Sequence, residues 1–228
     1  FTNDIPDLVH QYPVSVQAPL PYCQESHGIS EYMAANRLVI NSEKTHLIVM
    51  GTKATARRRA EVTVQAGQHV IEPTRTEKLL GGHISEDLKW KEHILGSDQS
   101  LTKQLTSRVN GLLMVAARAP FTTRLSVANG IFNSKLCYLV QLWGGAEGYL
   151  LHALQVIQNR AARAVTRMSW FTPSRILLKK CGWLSVKQLV FYHRVLTTHK
   201  IVQTKAPMYL HQKMITSHPY QTRQATDG

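Results

Sequence analysis

The chain has 228 residues, of which 43% are hydrophobic, enough to bury a sizeable core and to exclude wholesale disorder. Its longest apolar runs, such as 136–140, are far too short to span a bilayer, and we expect neither a membrane segment nor a signal peptide. Lysine and arginine total 27 against 14 acidic residues, and the formal charge of +13 favours a polyanionic partner, with nucleic acid as the first candidate.

The residue pattern in the first part of the chain predicts an irregular stretch, followed by a small region that contains both helix and strands. Four prolines in 1–28 exclude a long helix there, because proline lacks the amide hydrogen and clashes with the preceding turn. Ala66-Gly67-Gln68 predicts a hairpin turn between two apolar, β-branched runs. The predicted elements are a helix at 29–38 and strands at 45–50, 62–65, 69–72 and 77–85, the last with a bend at Gly81-Gly82.

From Trp90 onward the apolar residues recur at helical spacing. Proline and glycine mark the ends of the predicted helices, with Pro120 ending the first and Gly144-Gly145 following the second. A break inside the first helix is predicted near Gly96-Ser97, and the polar tail after Leu210 is predicted to be disordered. The predicted helices are 90–119, 122–142, 147–168, 173–180 and 185–203.

Positive charge is concentrated in this helical half. From Ser100 to the end there are 17 lysines and arginines against two acids, Glu147 and Asp227, whereas the N-terminal part is close to neutral. The asymmetry favours contact with nucleic acid, and such binding weakens steeply with salt because each phosphate contact releases a counterion. The alternative is a basic, solvated helical surface without a ligand.

Three cysteines, Cys23, Cys137 and Cys181, stand far apart and form no C-x-x-C pair, and the eleven histidines are scattered. We therefore expect no zinc site. An odd, sparse cysteine count is typical of a reducing compartment, which predicts an intracellular location in the nucleus or the cytoplasm. Because the first residue is Phe1 and not methionine, we expect a piece of a longer protein or a processed product.

Two segments of the mixed region have distinctive patterns. Residues 36–45, NRLVINSEKT, connect the predicted helix to the first strand, and taken alone they also fit an ordinary connection with an Asx turn at Asn41. Residues 78–94, KLLGGHISEDLKWKEHI, run from the glycine pair into a Trp and a His at the start of the helical half. Taken alone, this second segment fits a hairpin followed by a helix with a packed Trp and His.

A third segment lies in the helical half and carries LQVIQNRAAR at 154–163, then Thr172-Pro173, then CGWLS at 181–185. Its arginines, together with the one that follows, stand at spacings of three, four and seven residues. One helical face can therefore present all three to a phosphate backbone. The alternative is again a solvated basic face. The three residues are Arg160, Arg163 and Arg167.

These three segments, together with FTNDIP at 1–6, resemble in the same order the reverse transcriptases of non-LTR retrotransposons, with jockey-like or related elements as the nearest kind. The resemblance extends over 1–12 and 29–210. It implies an α+β fold, with a small antiparallel palm-type sheet and a helix followed by an all-α, thumb-like helical bundle. The implied domains are an irregular stretch before the palm at 1–28, a partial palm with a primer-grip-like hairpin at 29–89, thumb-like helices at 90–170, and a helical extension with a polar tail at 171–228.

Polymerases of this family bind two Mg²⁺ ions through clustered carboxylates, two of which are adjacent aspartates on a palm hairpin. The resemblance places that pair between His10 and Ile29, where this sequence has one acid, Glu25. The fingers region and an earlier aspartate would precede residue 1. We therefore expect no catalytic residue, no metal site, no cofactor for this chain and no polymerisation by it. The five aspartates, none of them adjacent, are Asp4, Asp7, Asp87, Asp98 and Asp227.

The expected partners are RNA and DNA, contacted through the phosphate backbone with little sequence specificity. In related polymerases a lysine near Lys44 lies close to the phosphates of the incoming nucleotide, and glycine permits close approach of a backbone. Two alternatives stay open: a protein-interaction scaffold, and a decayed reading frame without a selected role. The oligomeric state is left open too. The candidate contact residues are Lys44, Lys53, Arg57, Arg58, Arg59, Gly81, Gly82, Arg108, Arg118, Arg160, Arg163 and Arg167.

Overall fold

The chain is a mixed α+β protein, as predicted, and it divides into two compact units between Lys89 and Trp90. Strands characterise the described part of the first unit, and α-helices that of the second. The predictions for 1–28, for Lys53 and for the arginines at 57–59 lie outside the described residues. The computed structural model describes residues 32–33, 35–38, 41, 44–51, 64–66, 69–96 and 98–215.

The strands of the first unit are short, and in the described residues they form three two-stranded ladders. The predicted hairpin is confirmed, with Ala66 opposite His69 in an antiparallel pair. One ladder is parallel, with Leu47 opposite Pro73, so the pairing is more varied than a single antiparallel sheet. The strands are β1 (Leu47–Ile48), β2 (Val64–Ala66), β3 (His69–Ile71), β4 (Pro73–Thr74), β5 (Thr76–Leu79) and β6 (Gly82–Ser85).

The strand predicted over 77–85 is in fact a hairpin formed by β5 and β6. Its two turn residues, Leu80 and Gly81, have φ angles of +49° and +79°. Positive φ at both central residues is the signature of the type I′ turn, which matches the twist of paired strands. Glycine adopts this conformation without strain, whereas leucine does not. The predicted bend is therefore a complete reversal of the chain.

The second unit is helical throughout its described part. It begins with a π-helical turn, Glu92–Gly96, which ends where a break was predicted. A second π-helical segment, Asn129–Asn133, continues α2 into α3. The α-helices are α1 (Leu101–Ala116), α2 (Phe121–Ala128), α3 (Ser134–Cys137), α4 (Val140–Trp143), α5 (Gly148–Thr166), α6 (Ser174–Cys181), α7 (Val186–Thr204) and α8 (Met208–Ile215).

Two predictions for this unit were wrong. The helix predicted over 122–142 is interrupted at Leu139, which has a φ of +57°. The indole Nε1 of the fully buried Trp143 donates to the Tyr138 carbonyl at 2.9 Å, so tertiary packing stabilises the break. Disorder was predicted from residue 211 onward, but α8 continues to Ile215; the rest of that prediction, 216–228, lies outside the described residues.

The core of the second unit is centred on α5, whose inner face packs against α1, α6 and α7. Ala161 and Ala162 are completely buried at these contacts, and their small side chains let the neighbouring helices approach closely. Full burial of the apolar face fixes the rotation of α5 about its own axis. The opposite face of α5 therefore has a defined direction, and this face carries the arginines.

Candidate nucleic-acid interface

The three predicted arginines of the 154–167 region lie together on one side of α5. Arg160 and Arg167 are exposed and Arg163 is half-buried. They line one cleft of about 540 Å³, hereafter the arginine cleft. The end of α1 forms the facing wall, and the turn after α5 closes one side. The remaining lining residues are Leu113, Ala116, Ala117, Ala164, Met168 and Trp170.

Arg163 is held in place by an aromatic ring and a carbonyl. Its guanidinium carbon lies 4.9 Å from the centre of the Trp170 ring, within the range of a cation–π interaction. Its Nη2 lies 3.5 Å from the Thr172 carbonyl oxygen, a long hydrogen bond. The two contacts orient the charged group at the mouth of the arginine cleft.

Arg167 was predicted to share a helical face with Arg160 and Arg163, but it follows the last residue of α5 and adopts a left-handed conformation, with a φ of +52°. Its amide donates to the Arg163 carbonyl at 2.8 Å, and its Nη1 lies 3.4 Å from the Ala117 carbonyl oxygen. Glycine is the usual residue at such a helix end, and a side chain there costs about 1–2 kcal/mol. The Arg167 guanidinium thus lies beside a carbonyl that follows the C-terminal end of α1, where the helix dipole favours positive charge.

The arginine cleft has no carboxylate among its described lining residues. From Ser100 to the end of the chain, two acidic residues are far too few to neutralise 17 lysines and arginines. The pair formed by Lys103 and Asp98, at 2.5 Å, is a surface contact in which the lysine hydrogen bond lowers the pKa of the aspartate. Positive charge concentrated in a concave surface attracts polyanions over distances of about a Debye length.

The buried side of α5 explains the two glutamines of the LQVIQNRAAR segment at 154–163, which were not among the predicted site residues. Gln155 accepts a hydrogen bond from the Val186 amide at 2.8 Å, and Gln158 donates to the Leu184 carbonyl at 2.9 Å. Gln158 is only 2% exposed. These bonds tie α5 to the start of α7. The GWLS phrase and the residue that follows it, Val186, therefore supply the backbone partners of the two glutamines.

Trp183, in the same phrase, also has a packing role. Its Nε1 donates to Asn129 Oδ1 at 2.9 Å, and its ring stacks on Phe132 with centres 5.9 Å apart. The motif thus has two functions. Its glutamines fix α5, its tryptophan packs against the second π-helical segment, and its arginines line the arginine cleft.

Arginines outside the arginine cleft have different surroundings. Arg108 donates to the Ile131 carbonyl at 2.5 Å and so links α1 to the second π-helical segment. Arg118 was predicted to be on a helix, but it is exposed in the turn after α1. Arg124, which was not predicted, is buried and donates to the Val165 and Ala119 carbonyls at 2.7 and 2.5 Å. Its role is to join α2 to the end of α5.

The other predicted contacts belong to the first unit. Lys44 is exposed, and its amide donates to Asn41 Oδ1 at 3.2 Å, so the Asx turn is present. Gly81 occupies the turn of the β5–β6 hairpin, whereas Gly82 is buried within β6. Lys53 and the arginines at 57–59 lie outside the described residues.

Acidic and sulfur ligands do not gather in the described part of the chain. No group of three His, Cys, Asp or Glu side chains suited to a metal ion occurs among the residues described above. Asp87 accepts hydrogen bonds from Ser85 Oγ at 2.6 Å and from the Lys89 amide at 3.1 Å, which lower its pKa and close a turn. Burial raises the pKa of the Cys181 thiol to about 11.

In the same described ranges, no helix has the length and apolarity to cross a membrane.

Comparison with known proteins gives one informative similarity. The chain is 23% identical over 180 residues to a probable RNA-directed DNA polymerase from the transposon X-element of Drosophila melanogaster. The match covers 77% of this chain and 19% of that protein, so the chain spans about a fifth of the length of this relative. No family model and no solved structure matches. The similarity supports the predicted relationship between this chain and retrotransposon reverse transcriptases.

Proposed function

We propose that this chain is the palm-to-thumb portion of a non-LTR retrotransposon reverse transcriptase of the jockey-like or a related kind, acting inside the cell. Its own activity is to hold the phosphate backbone of RNA or DNA in the arginine cleft. In this proposal the β5–β6 hairpin corresponds to the primer grip and the helices from Trp90 to about residue 170 to the thumb. The observation that carries it is the convergence of Arg160, Arg163 and Arg167 on one cleft without a described carboxylate in its lining.

The chemistry of the arginine cleft suits a phosphate backbone. A guanidinium is planar and offers paired N–H donors that match phosphate oxygens. Arg160 and Arg167 are seven residues apart, about 10 Å along the helix axis. That distance reaches more than one phosphate of a strand, at ~3.4 Å of axis per phosphate. Contacts of this kind position a nucleic acid without discriminating its bases.

Binding of the purified chain to RNA and DNA across a salt series tests the proposal. Fluorescence anisotropy with labelled strands should give an affinity that falls linearly, on logarithmic axes, as the salt concentration rises. A chain that binds neither RNA nor DNA at low salt would remove the proposed function. So would binding without salt dependence, because phosphate contacts release counterions.

Polymerisation is not part of the proposed activity. The sequence has no adjacent aspartates, and two of its five aspartates, Asp87 and Asp98, hydrogen-bond to neighbouring residues of their own surface segments. The two-metal reaction needs clustered carboxylates to hold both ions. Primer extension with Mg²⁺ or Mn²⁺ should therefore stay at the level of a heat-inactivated control. Template-dependent incorporation above that level would contradict the proposal.

A second candidate function, a protein-interaction scaffold, is favoured by the surface of α7. This helix exposes apolar side chains along most of its length, which is unusual for a solvated helix. Light scattering would separate the candidates. Stable self-association or complex formation without any nucleic-acid binding would favour the scaffold. The exposed apolar residues are Phe191, Tyr192, Val195, Leu196 and Val202.

A further inference from the structure

Trp170 stands at the edge of the arginine cleft with most of its ring in contact with solvent. Its side chain is 73% exposed even though the Arg163 guanidinium lies over one face. The opposite ring face is therefore open. Trp170 therefore presents an aromatic surface to solvent directly beside the cations of the arginine cleft.

The neighbourhood of Trp170 combines the two elements that recognise unpaired nucleotides. Aromatic faces stack on bases, and this stacking tolerates any base because each has a π-face. Cationic grooves follow the backbone of the same strand. Arg160 and Arg167 supply the cations beside the ring, and Leu113 and Met168 give the arginine cleft an apolar wall. In a duplex the base faces are already stacked on one another, so an external ring has nothing to cover.

We propose that the arginine cleft selects single-stranded nucleic acid, stacking an unpaired base on the open face of Trp170 while the arginines hold the adjacent phosphates. This inference rests on the proposed function and adds the class of substrate. Arg163 prepares the ring for the base. Its guanidinium covers the inner face and, through the Thr172 carbonyl, limits the rotation of both side chains. A ring fixed in this way loses little conformational freedom when a base stacks on it.

Competition between single and double strands tests the selection. A labelled oligothymidylate is bound to the whole chain and then displaced by unlabelled single strands or by a long duplex fragment. The two competitors are compared at equal concentrations of phosphate. The long fragment has few ends at which a base face is open. We expect single strands to compete at least about fivefold better, the low end of the range measured for stacking one base.

Substitutions separate stacking from charge. Trp170→Leu should weaken single-strand binding about fivefold or more and weaken duplex binding much less, because Arg163 keeps its charge and its Thr172 contact. Phe171→Leu is the matched control, because Phe171 is 92% exposed but does not line the arginine cleft, and it should change neither. Trp170→Phe keeps a ring and should retain most of the affinity.

Tryptophan fluorescence gives an independent readout. Of the four tryptophans, Trp143 is completely buried and Trp170 is the most exposed. Single strands should quench the emission, and Trp170→Phe should abolish most of that quenching while binding persists. Equal competition by duplex, or an equal loss of duplex binding in Trp170→Leu, would overturn the selection and leave the proposed function intact. Binding of neither form at low salt would overturn the proposed function itself.

Discussion

The arginine cleft makes a quantitative prediction about salt. Replacing Arg160, Arg163 and Arg167 together with glutamine removes three cations and keeps side chains of similar length. None of the three is fully buried, so the helical unit should stay folded. Arg163 and Arg167 would lose long hydrogen bonds, at 3.5 and 3.4 Å, which contribute little to stability.

The size of the effect follows from counterion release. Each phosphate contact contributes about 0.7 to the slope of log affinity against log salt for a single strand and about 0.9 for a duplex. Losing three contacts should therefore flatten the slope by about 2 for a single strand and by about 2.7 for a duplex. A slope change of 2 means that a fourfold rise in salt weakens the wild-type chain about 16-fold more than the variant.

Anisotropy titrations at several salt concentrations measure both slopes. The matched control carries glutamine at three exposed lysines outside the arginine cleft, so that its net charge falls by the same three units. Thermal unfolding should show that both variants remain folded. An unchanged slope in the arginine variant, or an equal change in the control, would refute the idea that the arginine cleft contacts phosphates. The control lysines are Lys103, Lys200 and Lys205.

Three further predictions concern stability. Leu80→Asn should stabilise the β5–β6 hairpin by about 1 kcal/mol, because asparagine tolerates positive φ. Hydrogen exchange of the hairpin amides should slow in this variant, whereas Leu79→Asn should give no gain. Gln158→Leu should lower the free energy of unfolding by about 1–3 kcal/mol, because the Leu184 carbonyl loses its donor, and an unchanged denaturation midpoint would contradict this. Because burial raises the pKa of Cys181 to about 11, the thiol ionises at lower pH in the unfolded chain than in the folded one. The free energy of unfolding should therefore fall as the pH rises from about 9 through about 11. Denaturant titrations of Cys181→Ala should show a smaller fall.

Much of the helical unit was predictable because local signals and packing agree there. The ends of α5 and α6 were predicted within about two residues, since apolar periodicity coincides with glycine or proline punctuation. The start of α7 has a capping box in which Ser185 and Gln188 bond each other's backbone amides. The break at Leu139 has no such signal, because it depends on the burial of Trp143.

The arginine cleft was predictable only in part. A spacing of three residues places Arg160 and Arg163 on one face of α5 whatever the tertiary structure, whereas Arg167 lies beyond the helix end. Their partners come from distant or irregular segments: the end of α1 approaches Arg167, and the turn after α5 brings Trp170 over Arg163. An aromatic residue close to a run of arginines is a known signal for nucleic-acid binding and could have directed attention to Trp170. The parallel pairing of β1 with β4 had no local signal.

The two-sided design of α5 has a consequence for how such chains are recognised in genomes. Gln155 and Gln158 orient the helix, and the arginines on the other side depend on that orientation. Selection for folding alone would preserve the glutamines of the LQVIQNRAAR segment, and selection for nucleic-acid contact would preserve its arginines. Neither pressure involves the chemistry of DNA synthesis. Under the proposed function, a chain that no longer copies RNA can retain this segment intact, so the segment carries no information about enzymatic competence.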